Sequence, residues 1–150
     1  MAALFAFLHH VAAFTLFAAL VVELILIRDD LTLGNARRIQ VADMIFGISA
    51  GVLLVVGLLR VYFFEKGATY YFHTWTFSTK LALFLLIGLA SIVPTLEFLA
   101  WRKAVKQGQA PTVSAGKLRW LRVIVHLELV GVVAIILMAA LMAKGIGLML

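Results

Sequence analysis

Apolar residues run along this chain in four long blocks. They follow neither the two-residue alternation of a strand nor the single apolar stripe of a soluble helix. The blocks cover about residues 4–27, 41–64, 77–99 and 123–143, each broken by only a few polar side chains. A helix needs roughly 20 mostly apolar residues to cross the hydrocarbon core of a bilayer, so each block predicts a membrane-spanning helix. Pro94 predicts a kink in the third helix, because proline cannot donate to the helical ladder. Only the stretch 101–122 reads as clearly soluble, punctuated by Gly108, Pro111, Ser114 and Gly116. No Lys or Arg precedes Arg28. The first block thus lacks the basic leader of a signal peptide and is expected to persist as a helix. No internal repeat or second domain is evident. The expected fold is all-α: one integral membrane four-helix bundle over residues 1–150.

Composition makes lipid the solvent. The 150 residues are 65% hydrophobic and 13% charged, against about 45–50% and about 25% in globular domains. A soluble domain of this size leaves too much surface wet to hide that many apolar side chains. There is no cysteine, which excludes disulfide frameworks, thiolate metal sites and covalently attached c-type haem. The net charge of +6 acts as a topology signal. Nine of the 13 basic residues (Arg28, Arg37, Arg38, Arg102, Lys103, Lys106, Lys117, Arg119 and Arg122) fall on one side of the spans. The other side has four: Arg60, Lys66, Lys80 and Lys144. The richer side is expected to be cytoplasmic, which puts both termini in the periplasm. Tyr62, Tyr70, Tyr71 and Trp75 would mark the outer interface, and Trp101 and Trp120 the inner one.

Charges within the spans carry the remaining information, because each is costly in lipid and should face the bundle interior. On the first helix His9 and Glu23 are fourteen residues apart and come within about 40° of each other. His10 lies about 100° round from His9, so His9 is the favoured interior histidine. The alternative places both histidines at the outer interface as polar surface residues. On the second helix Asp43, Gly47 and Gly51 share a stripe, and the glycines form a GxxxG that would admit a neighbour's backbone or a flat ligand, plain helix packing being the better reading. On the third, Lys80 shares a face with Phe84, Ile87, Ser91 and Pro94; snorkelling at the interface is the equal alternative. On the fourth, Glu128 shares its face with Leu121, Gly131 and Ala139, whereas His126 points elsewhere and reads as structural.

Depth divides these groups into two layers. Glu23, Asp43, Glu97 and Glu128 lie in the cytoplasmic half, where pairing with Arg28, Arg38, Arg119 and Arg122 would brace the bundle. His9, Arg60 and Lys80 form the outer layer. An imidazole inside a helix bundle is a natural axial ligand for b-type haem. Cationic Arg60 and Lys80 suit its propionates. The cofactor-binding candidates are therefore His9, Lys80 and Arg60, with His9 on the haem iron and Lys80 as a second ligand or propionate partner. The five methionines form no soft-metal array, which leaves copper handling the weaker redox reading.

The run His9-His10-Val11-Ala12-Ala13-Phe14-Thr15-Leu16-Phe17-Ala18-Ala19-Leu20 resembles the first helix of HemJ-type protoporphyrinogen oxidases. In that register the family histidine falls on His9. Trp75-Thr76-Phe77-Ser78-Thr79-Lys80-Leu81 resembles the family's third-helix Trp…His-x-Lys-Leu segment, with Lys80 as the lysine and Ser78 in the histidine's place. Glu128 and Lys144 resemble the acid and the lysine that bracket its last helix. The closer likeness is to an uncharacterised family of small four-helix bacterial membrane proteins, related to the HemJ type and to copper-resistance membrane proteins. That resemblance implies the bacterial inner membrane. The leading expectation is a haem-b-binding redox protein acting on a porphyrin or passing electrons. The alternative is a non-catalytic assembly or small transporter subunit whose intramembrane charges are structural. Expected partners are the bilayer, a second copy as a homodimer, and an electron-transfer or haem-pathway protein. Nucleic acid is not expected, since no recognition fold accompanies the basic residues.

Overall fold

Each long apolar block becomes a helix, and each helix outruns its block. The computed structural model describes residues 1–64, 69 and 73–147, Phe64 by its backbone only. The helices are α1 (Ala2–Arg28), α2 (Leu33–Leu59), α3 (Trp75–Ala100), the short α4 (Arg102–Lys106) and α5 (Ala115–Ala143). A π-helical turn, Arg60–Phe64, continues α2. The four long helices are long and apolar enough to cross a membrane. At 1.5 Å per residue, the 27 residues of α1 or α2 extend about 40 Å, enough to reach through the headgroup layers as well.

Local capping explains the early starts of α2 and α5. The Thr32 hydroxyl accepts from the Asn35 backbone N–H at 3.1 Å, and the Ser114 hydroxyl accepts from that of Lys117 at 3.3 Å. Each cap satisfies an orphan donor of the first turn. Helix therefore begins at Leu33 and Ala115, ahead of the expected 41 and 123. Arg37, Arg38, Lys117, Arg119 and Arg122 consequently sit on helical turns. The expected loop 101–122 shrinks to residues 107–114 after α4.

The most extensive packing joins α1 to α2 and α3 to α5. Contacts of α1 with α5, and sparser ones of α2 with α3, close the ring. Leu16, Leu20, Phe46 and Val125 fill the middle. Ile27, Ile39, Phe98, Trp101 and Leu121 fill the basic end. Val61 and Phe77, with Leu81 and Met142 against them, fill the end bearing the chain termini. Gly131 allows close approach: a Cβ there would lie 2.8 Å from Cδ1 of Ile87, whose side chain would have to shift. Large apolar side chains such as Phe14, Leu89 and Leu127 point outward, as expected where the solvent is lipid.

Two expectations need correction. Trp101 is not an interface residue: it is 3% exposed, packs on Phe98 with ring centroids 5.0 Å apart, and donates its indole N–H to Glu97. Gly47 and Gly51 are not packed within the bundle, since a Cβ at either would meet nothing within 4 Å. The reason is rotational. The two glycines lie about 40° and 80° round from Asp43, on the side away from buried Phe46 and Ile39. Trp75, Tyr62 and Trp120 are exposed. Tyr70, Tyr71 and Lys66 lie outside the described residues.

Candidate functional site

All four long helices contribute to a cavity of about 670 Å³ at the end of the bundle where the chain begins and ends. His9 enters it from α1, Arg60 from the π-helical turn, Lys80 from α3, and Ala139 from α5. The three residues singled out from the sequence are thus brought to one space. Apart from His10, its remaining wall is apolar, with Phe14, Phe17, Leu53, Phe77, Phe84 and Ile135 prominent. The volume falls within the range of about 300–1,000 Å³ typical of ligand pockets.

His9 sits seven residues into α1, about 10 Å along the axis from the helix start. Its ring is part-buried, and its Nδ1 is buried without a hydrogen-bond partner. Gly57 of α2 faces that ring: a Cβ on Gly57 would stand 3.5 Å from Cε1 and 3.7 Å from Nδ1 of His9, ordinary contact distances. His10 also touches the cavity, but it is exposed and its Nδ1 lies 2.6 Å from the Ala6 carbonyl. One histidine nitrogen is thus held by its own helix, and the other is uncommitted. The rings meet edge to face at 6.1 Å.

Lys80 is part-buried, with its ammonium 5.3 Å from the centre of the Phe77 ring, within cation–π reach. The rest of its stripe behaves as a buried face: Phe84, Ile87 and Ser91 are half-buried and Pro94 is buried. Arg60 begins the π-helical turn. Such an insertion shifts the helical phase and often accompanies functional positions.

The second layer lies fourteen residues down α1 from His9, about 21 Å deeper. Glu23 and Glu128 are 1% and 2% exposed, and one oxygen of each, Oε1, is without a hydrogen-bond partner. The arginine pairing expected for these acids is not formed. Arg122 instead donates from Nε to the Ile27 carbonyl at 2.7 Å, satisfying an orphan acceptor near the C-terminus of α1. Among the expected inner acids, Glu97 pairs with a cation, Lys117, at 2.8 Å. Asp43 takes a hydrogen bond from the Thr95 hydroxyl at 2.6 Å. Gln40 donates to the Phe98 carbonyl at 2.6 Å. Thr95 and Gln40 were not singled out from the sequence, because a partner 52 residues away leaves no local signal. Among the described residues, no group of three or more His, Asp or Glu side chains is arranged to hold a metal ion.

The chemistry available is therefore concentrated at this first cavity: a free imidazole nitrogen, two cations and apolar walls. Comparison with known proteins gives a family but no activity. A family model described as "Predicted membrane protein (DUF2214)" matches residues 1–147. No curated protein matches the chain, and no solved structure does.

Proposed function

We propose that this chain, which belongs to the DUF2214 family of predicted membrane proteins, binds a b-type haem in its outer cavity and acts as a membrane redox protein. The observation that carries the reading is the convergence of His9, Arg60 and Lys80 on one apolar cavity from three separate elements. The orphaned Nδ1 of His9 speaks for a guest, since native proteins seldom leave a buried polar atom unmatched. The donor set fits a haem: one imidazole for the iron, cations for the carboxylates, and hydrocarbon for the macrocycle.

In this reading His9 would supply a nitrogen to the iron, with Gly57 packed beside its ring. Arg60 and Lys80 neutralise the propionates near the membrane surface, where the cost of burying them is lowest. The Phe77 ring lies within cation–π reach of the Lys80 ammonium. Phe84, Phe17 and Leu53, which line the cavity, would keep water from a bound macrocycle. The haem itself would supply one-electron chemistry at iron. The termini end faces the periplasm on the basic-residue distribution, and a bacterial inner membrane is the setting. The partner implied is an electron-transfer or haem-pathway protein.

The test is absorption spectroscopy on His9→Ala and His10→Ala proteins purified after expression with added haem precursor. We expect His9→Ala to lose the Soret band while helical circular dichroism is unchanged, and His10→Ala to keep it. Lys80→Met and Arg60→Gln should weaken haem retention without removing it. Retention in His9→Ala with loss in His10→Ala would overturn the ligand assignment. Retention in both would remove histidine ligation from the reading.

A further inference from the structure

A second cavity opens on the outside of the α1–α2 pair, at the opposite end from the first. It is a groove of about 690 Å³. Its floor is made of small side chains, Ala18 and Ala19 on α1 and Ala42 on α2. Thr15 closes the far end, its hydroxyl donated to the Val11 carbonyl, so that it presents no unsatisfied polar group. At the near end stand Arg37 and Arg38, both exposed.

We propose that this groove is a binding site for one anionic phospholipid of the leaflet at the basic end. The headgroup phosphate would lie on Arg37 and Arg38, and an acyl chain along the alanine floor. Charge complementarity is the first argument. Among the described residues neither arginine has an ion-pair or hydrogen-bond partner. The nearby Asp29 accepts from Asn35, and neither Asp29 nor Asp30 pairs with an arginine. Two unpaired guanidiniums at the mouth of an apolar trough fit a ligand with an anionic head and an apolar tail. Basic pockets between transmembrane helices take lipid headgroups in this way.

Length is the second argument. From Leu26, level with the arginines, to Thr15 the groove follows eleven residues of α1, about 16 Å. That is half of the roughly 30 Å hydrocarbon core, the depth of one leaflet. The depth of the trough also has a local cause. Alanines at 18, 19 and 42 sit where neighbouring positions carry Val22, Val41 and Ile45. The floor is therefore lower than the rims by several carbon atoms per residue.

The test is native mass spectrometry of the full chain in detergent, titrated separately with dioleoyl-phosphatidylglycerol and dioleoyl-phosphatidylcholine. We expect one phosphatidylglycerol to bind in clear preference to phosphatidylcholine. Arg37→Gln with Arg38→Gln should weaken it about 30-fold, at roughly fivefold per basic contact. Ala18→Leu, an exposed position that fills the floor without touching the core, should also weaken it. Arg102→Gln with Lys103→Gln, exposed at the same end but outside the groove, should leave it unchanged. Soluble glycerol 3-phosphate at millimolar concentration should not displace the lipid. The proposal fails if both lipids bind alike, if Ala18→Leu binds normally, if the control pair costs as much as Arg37 and Arg38, or if glycerol phosphate competes. Circular dichroism reports folding, and should the double arginine variant misfold, Ala18→Leu decides.

Discussion

Replacing Thr95 by valine keeps the side-chain shape and removes one hydroxyl, the one that joins α3 to Asp43 of α2 at 2.6 Å. Those two helices pack on each other most sparsely of the four neighbouring long-helix pairs. Direct polar links therefore matter more here than elsewhere. Hydrogen bonds to charged groups contribute about 1.5–3 kcal/mol in soluble proteins. Interhelical bonds in membranes average about 0.6 kcal/mol and reach about 1.7 kcal/mol. Asp43 is 8% exposed and accepts a short bond, which places this one near the upper membrane limit, about 1–2 kcal/mol. The assay is reversible unfolding in mixed micelles across a cycle of Thr95→Val, Asp43→Ala and the double variant. The cavity left by the alanine cancels in the coupling term, so the bond itself is read. A coupling of about 1–2 kcal/mol is expected. A value below about 0.5 kcal/mol would refute the claim that this bond locks α2 to α3. The absorption spectrum of bound haem should not change in Thr95→Val, because the outer cavity is a separate layer.

Three further outcomes are expected. Glu23→Gln, which keeps shape at a buried carboxyl with an unpartnered oxygen, should leave the unfolding midpoint unchanged or raise it; loss of an ionic brace would cost about 3–5 kcal/mol. Gly57→Ala should fold and keep haem, since its Cβ meets the His9 ring at ordinary contact distance, whereas Gly57→Leu should fold and lose haem; full haem loading of the leucine variant would place the ligand elsewhere. Because the chain has no cysteine, single cysteines at exposed His73 and Thr112 report topology. A membrane-impermeant maleimide should label the first and not the second in intact spheroplasts, and the reverse would invert the orientation.

The four spans were legible because apolar runs of bilayer length have few other uses. Facing was legible too, where a stripe is long: His9 with Glu23, Lys80 with Pro94, and Glu128 with Leu121 all turn inward as helical angle requires. What sequence could not supply was the partner across the interface. The sequence pattern groups Asp43 with acids that would pair with arginines, but its partner is Thr95, a polar residue with no signal of its own until two helices are set face to face. Arg122 was assigned to a carboxylate and instead caps the Ile27 carbonyl, a backbone acceptor invisible in side-chain patterns. The GxxxG signal failed for a related reason: an angular drift of about 40° per four residues carries the glycines out of the contact arc that Asp43 borders. Helix ends were missed where Thr32 and Ser114 cap polar turns, since hydropathy marks where lipid begins and caps mark where the helix does.

The central claim is that the outer cavity holds a haem through His9. Its most direct test is the haem content of the wild-type protein, measured as pyridine haemochrome against protein concentration after expression with adequate haem supply. About one haem per chain is expected, with a Soret band that shifts on reduction with dithionite. A stable, helical and colourless preparation that also fails to take up added haemin would contradict it.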